Sequence, residues 1–169
     1  MIYFITENYL KTQTPITANC DVNDIVPYIK TQSDLRIQPI LGTYFYNDIL
    51  AKYNAQTLSA NEEILVTYIQ PIVAWRSAED AVFGLSYQLK NKGLQLQNGD
   101  YSNSVSQQEV AFAQDHYGQK ASFYEARLVN YLHTNKDLFA NFTSVLNKDS
   151  DIRPTHNPDN GYTDSIMVI

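Results

Sequence analysis

Cysteine is all but missing from this chain of 169 residues, and that absence removes two architectures at once. With Cys20 alone, no intrachain disulfide and no cysteine-rich metal site can form. Positive charge is scarce too: 12 Lys and Arg stand against 18 Asp and Glu, for a net charge of −6. Gripping nucleic acid needs clustered Lys and Arg, and no basic run occurs. An acidic wall would instead repel phosphates and let a duplex slide past. No stretch approaches the ~20 apolar residues of a membrane span. The opening Met1-Ile2-Tyr3-Phe4-Ile5 lacks a basic region and turns polar at once, so no signal peptide is read and cytoplasmic synthesis is expected.

Catalytic signatures are equally thin. The six glycines are scattered and form neither a phosphate-binding loop nor a nucleophile elbow. None of the three histidines, His116, His133 and His156, makes a metal motif with a second His, Cys or acidic residue at helical spacing. Asp115 adjoins His116, but helix neighbours face different ways. His116 and His133 would lie about 25 Å apart on a shared helix. Arg76, Glu79 and Asp80 can pair across one turn, which reads as a salt bridge rather than acid–base machinery. No catalytic, cofactor-binding or metal-ligating residue is expected.

What the chain does contain is a globular balance, 44% hydrophobic and 18% charged, with 13 tyrosines. Tyrosine suits a partly wet interface and a core equally. Thr6 can cap a brief helix through Lys11 that Pro15 stops. Asp21 and Asp24 open a second helix near Asn23, with Ile25, Ile29, Leu35 and Ile40 inward; Pro39 kinks or ends it and Gly42 punctuates it. Thr43 could cap a helix over 44–54 carrying Phe45, Ile49 and Leu50. Ser59 with Glu62 matches a capping box and predicts a long helix to about Asn91, striped by Ile72, Trp75, Ala78, Val82, Leu85 and Leu89 and bent at Pro71. Leu94 to Ser104, around Asn98-Gly99, reads as a β-hairpin. Ser106 with Glu109 is a second capping box. Its helix carries Val110, Ala113, Tyr117, Ala121, Tyr124, Leu128 and Tyr131, a spacing that suits antiparallel packing on the other long helix. Asn135 then opens a short helix with Leu138, Phe139, Phe142 and Leu146.

The fold class expected is therefore mainly α: a bundle of about four to five helices with a small β-hairpin insert near 94–104 and an extended C-terminal arm. The helical domain would span 1–146 and the arm 147–169, where Pro154, Asn157-Pro158 and Asn160-Gly161 oppose regular structure. The arm finishes apolar, and Ile166, Met167, Val168 and Ile169 would cost free energy in water, about 25 cal/mol per Å². Docking on a neighbour relieves that cost. The same logic picks out Ile2, Tyr3 and Phe4. With the hairpin residues Asn98 and Tyr101, the arm residue Tyr162, and Tyr117, Tyr124 and Tyr131 on the second long helix, these are the candidate interface residues.

A capped short helix, then Asp21-Val22-Asn23-Asp24-Ile25-Val26-Pro27-Tyr28-Ile29, then two long helices with a hairpin between them, resembles bacteriophage head–tail connector proteins. Leu35-Arg36-Ile37-Gln38-Pro39-Ile40-Leu41-Gly42, Ala74-Trp75-Arg76 and Tyr87-Gln88-Leu89-Lys90-Asn91-Lys92-Gly93 are similar to ring proteins of crAss-like phages. The resemblance covers roughly residues 5–142. It implies a non-enzymatic virion protein of the neck or tail, assembled in the host cytoplasm. It implies a cyclic ring of copies, commonly twelvefold, that binds the portal protein and adjacent tail rings. DNA would pass through the channel without specific binding. Pro27, Pro39, Pro71 and the acidic arm depart from the family pattern and leave the arm's partner open. A helical adaptor of a bacterial complex, and an enzyme with an unrecognised site, are the rival readings.

Overall fold

The computed structural model describes residues 3–16, 20–90, 93–96 and 106–155, and it is mainly α. Helix α1 (Glu7–Gln13) starts at Thr6, whose hydroxyl accepts from the Tyr9 amide. Helix α2 (Val22–Gln32) starts at Asp21, and Pro27 sits inside it. The helix continues as a π-turn over Ser33–Ile37 into α3 (Gln38–Leu41), with Pro39 in the first turn of α3. Pro39 therefore does not end the helix. A regular α-helix would drive its ring into the carbonyl four residues back, and the wider π-turn relieves that clash.

Helix α4 (Thr43–Ala55) leads to α5 (Ala60–Ser86), and α6 (Gln107–Thr134) returns against it. Both long helices are about 40 Å in length. Two short helices, α7 (Ala140–Thr143) and α8 (Val145–Lys148), close the body after a 3₁₀ turn at Lys136–Leu138. α5 is the central element, packed by α6, α2, α1 and the π-turn. Its segment from Leu65 to Ala81 is consequently buried on several faces, including Val66, Ile69, Ile72, Val73 and Ala74. A helix surrounded by others needs apolar residues all round, so the single stripe read from sequence was too narrow.

Both capping boxes form. Ser59 N–H donates to Glu62 Oε2 at 2.8 Å, and Ser106 N–H donates to Glu109 Oε2 at 2.8 Å. Burial alone would raise the Glu62 carboxyl, but hydrogen bonds from Lys52 and Ser59 outweigh it and hold it below its ordinary 4.5. Glu109 is held low by the Ser106 hydroxyl and amide. A depressed carboxyl stabilises the fold fully above 4.5 and loses that contribution as pH falls through the folded value. The Glu62→Gln/Glu109→Gln double variant should therefore show a smaller drop in urea midpoint between pH 7 and pH 3 than the parent.

The hairpin insert expected over 94–104 is not supported. Its turn, Asn98-Gly99, and the candidate Tyr101 lie outside the described residues. The short ladder that is described runs upstream: β1 (Tyr87–Lys90) pairs antiparallel with β2 (Gly93–Leu96), Leu89 opposite Leu94. Leu89 thus leaves the helical stripe, and α5 ends at Ser86 rather than near Asn91. Leu85 and Leu89 fit helical spacing, but Leu89 also alternates with its neighbours as a strand does, so spacing alone cannot decide.

The junction between α3 and α4 is closed from far along the chain. Gly42 sits there at φ 81° with no side-chain cap of its own, so Thr43 is the first helical residue and not the cap. Asn147, 0% exposed, supplies the cap instead: its Oδ1 accepts from the Phe45 amide at 3.2 Å. Its Nδ2 donates to the Leu41 carbonyl at 2.8 Å and the Phe142 carbonyl at 2.9 Å. A Cβ on residue 42 would stand 2.3 Å from Asn147 Oδ1, so glycine is required on both counts. Thr43 N–H then donates to the Ile152 carbonyl at 2.9 Å, and Thr155 N–H to the Pro39 carbonyl at 2.9 Å. Residues 147–155 form a strap that satisfies the free carbonyls of α3 and the free amides of α4. The arm expected from residue 147 therefore starts bound to the body, with Pro154 buried. Residues 156–169 lie outside the described residues.

Candidate interaction surface on the long helices

The seam between α5 and α6 is built around one cation. Arg76, 7% exposed, donates from Nε and Nη2 to the two carboxylate oxygens of Glu125, both at 2.8 Å. Its Nη1 donates to Glu79 Oε2 at 2.8 Å and its Nη2 to Ser122 Oγ at 3.1 Å. The Glu125 hydrogen bonds raise the guanidinium above its ordinary value, burial opposes them, and Glu79 adds to the rise. This is a planar fork matched by a carboxylate, the geometry only arginine supplies.

Rings fill the rest of the seam. Tyr68 stacks on Tyr131 with centroids 4.4 Å apart, and Trp75 meets Tyr117 at 5.6 Å. Tyr124 packs against the main core. The three tyrosines expected to face a neighbour thus sit half-buried along the contact between the protein's own long helices. Trp75, expected inward, is half-buried beside them.

Phe4 also departs from expectation. It is 0% exposed, its ring lies 5.6 Å from Tyr46 and 5.9 Å from Tyr53, and its carbonyl accepts from Gln70 Nε2 at 2.9 Å. Tyr3 is half-buried against the same core. The described start of the chain is thus sheltered by its own helices. Phe4→Leu should cost about 1–1.5 kcal/mol in urea denaturation and leave the native mass unchanged; an interface role would alter the mass. Ile2, Asn98, Tyr101, Tyr162, Ile166, Met167, Val168 and Ile169 lie outside the described residues.

The outward face of α6 carries a row that the sequence reading passed over. Phe112, His116, Gln119, Phe123 and Arg127 recur every three or four positions and are all exposed, Phe112 at 75% and Phe123 at 60%. The His116 ring lies parallel to Phe112, 6.4 Å away. Lys120 Nζ stands 4.1 Å from the centre of the Trp75 ring. The Arg127 guanidinium is 5.3 Å from Tyr68 and 5.9 Å from both Phe123 and Tyr124. Trp75, His116, Lys120, Phe123 and Tyr124 line a groove of about 510 Å³.

The other flank of α6 borders a second groove, about 610 Å³, shared with the π-turn and α3 through Leu35, Arg36, Pro39 and Ile40. Leu35 is 61% exposed on its rim. Glu125 and His133 both touch this groove. Both Glu125 oxygens are held by Arg76, and eight residues put His133 about 12 Å further along the helix. They do not make a general-base pair. Among the described residues no group of His, Cys, Asp and Glu gathers as a metal site, and no helix is long and apolar enough to cross a membrane.

Fold and surface together define a helical body with partly apolar grooves on two flanks of one long helix. The chain belongs to a family of unknown function, DUF6712, whose match spans residues 37–152. That span runs from the end of the π-turn to the strap, and so contains α3, α4, the two long helices and the contacts of Asn147. No curated protein and no solved structure matches the chain.

Proposed function

We propose that the protein is a structural component of a tailed-phage neck. It forms a cyclic ring of identical copies between the portal protein and the next tail ring. The ring extends the channel through which DNA passes without specific binding. It has no catalytic role and needs no cofactor. The observation that carries this reading is the pair of unlike surfaces on two flanks of α6: an aromatic–cationic groove on one side and the Leu35 groove on the other. A ring closes head to tail, so each subunit must offer two different faces. The resemblance of the Asp21–Ile29 and Leu35–Gly42 stretches to connector proteins adds support, as does the acidic average, which suits a wall that must not grip phosphate.

Phe4 is buried in its own subunit and so is no part of the contact, and the strap leaves only residues after 155 for an arm. A truncation after Leu146 would also delete the Asn147 cap, so the informative cut falls after Thr155. Native mass spectrometry of the full chain should give one closed oligomer, near twelve copies, that co-sediments with portal protein. A chain that stays monomeric at micromolar concentration, with and without portal, would falsify the reading. A defined complex with a bacterial host protein in place of a ring would favour the adaptor reading.

A further inference from the structure

Among the described cations, Lys11, Lys30, Lys52 and Arg76 are ion-paired within the subunit. Lys120 and Arg127 are not; they rest on aromatic faces. A ring attracts a cation but leaves its net charge and its outward N–H donors uncompensated. Asp115, one position off the row, accepts from Gln119 Nε2 at 2.8 Å. Beside the two cations stand Phe112 and Phe123, large apolar side chains mostly in water. An occupant that fits this row carries carboxylates interleaved with apolar side chains, and a basic or purely polar segment does not fit.

The chain itself contains such a segment. Residues 156–169 hold Asp159 and Asp164, no Lys or Arg, one tyrosine, and the run Ile166-Met167-Val168-Ile169. Fourteen residues can span about 45 Å extended, against about 22 Å for the fifteen helical positions from Phe112 to Arg127. The strap fixes Thr155 at Pro39, which borders the Val129 flank of α6. The groove that Pro39 borders and the aromatic–cationic row are centred about a quarter turn apart on α6. The anchor thus lies off the row, and the head-to-tail arrangement proposed above is what presents a neighbour's row to the segment.

We propose that the aromatic–cationic row of α6, centred on Lys120, Phe123 and Arg127, is the docking site for residues 156–169 of a second copy of this chain. This rests on the assembly reading above and names the contact that joins neighbours. Carboxylates of the segment bind Lys120 and Arg127, and its apolar side chains cover Phe112 and Phe123.

The test uses full-length chains with Cys20→Ser. One carries Phe123→Cys and the other Val168→Cys, and they are mixed under mild oxidation. The expected result is an interchain disulfide that exceeds, by about tenfold, the yield from an Ile64→Cys control. Lys120→Glu/Arg127→Glu in the first chain should lower the adduct about tenfold. Asp159→Lys/Asp164→Lys in the second should then restore it. No adduct above control, in chains whose native mass is that of a closed ring, overturns the docking site and leaves the ring reading standing. An adduct in chains that form only a closed dimer supports the docking site and overturns the ring. A disulfide that forms only within a single chain bearing both cysteines overturns docking on a second copy.

Discussion

Replacing Asn147 with alanine is expected to cost about 3–5 kcal/mol. One side chain serves three buried backbone groups: the Phe45 amide and the carbonyls of Leu41 and Phe142. Alanine leaves all three in a region that water does not reach, at about 1–3 kcal/mol each before relaxation. Urea denaturation followed by circular dichroism reads the loss directly. Asn147→Asp is the informative companion. It keeps an acceptor for Phe45 but turns the donor that faced two carbonyls into a second acceptor, so it should be at least as damaging as alanine. Recovery to within about 1 kcal/mol of the parent by Asn147→Asp would mean that the two carbonyl contacts contribute little.

Arg76→Met is expected to cost about 2–4 kcal/mol. Removing the guanidinium leaves Glu125 and Glu79 facing each other across the seam without a counter-ion. Their side chains keep 21% and 27% exposure, and that residual hydration holds the loss below the upper end seen for wholly buried pairs. Arg76→Lys should recover less than half of it, since a single ammonium cannot match the two oxygens of Glu125 and reach Glu79 together. The double variant Arg76→Met/Glu125→Met should be more stable than Arg76→Met alone. That ordering, read from urea midpoints, separates an uncompensated carboxylate from simple loss of packing.

How much of this was legible in the sequence depended on distance along the chain. Ser59 with Glu62 and Ser106 with Glu109 announce helix starts because donor and acceptor lie three residues apart. The start of α4 carries no such local signal. Its cap comes from Asn147, 102 residues away, and nothing near Thr43 points there. Pro39 illustrates a second limit. Its steric demand is plain from the sequence, but relief by a π-turn, rather than by helix termination, depends on the neighbours that bury Ser33 and Ile37. The surface on α6 was missed for a third reason. Tyr117, Tyr124 and Tyr131 share the inward heptad with Val110 and Leu128, so their spacing already marked them as seam residues. The exposed row of Phe112, His116, Phe123 and Arg127 has the same period, displaced toward solvent. Phase can be assigned only once one face is known to be occupied.

The strap also sets a load path. A pull applied beyond residue 155 falls first on the two hydrogen bonds from Thr155 to the Pro39 carbonyl. Only after those yield does it reach the Ile152–Thr43 pair, and only last the Asn147 side chain that caps α4. Bonds arranged in this order peel one after another instead of sharing the force. The segment downstream is therefore tethered through a graded release, in which modest tension frees a few residues of slack while the helical body stays whole.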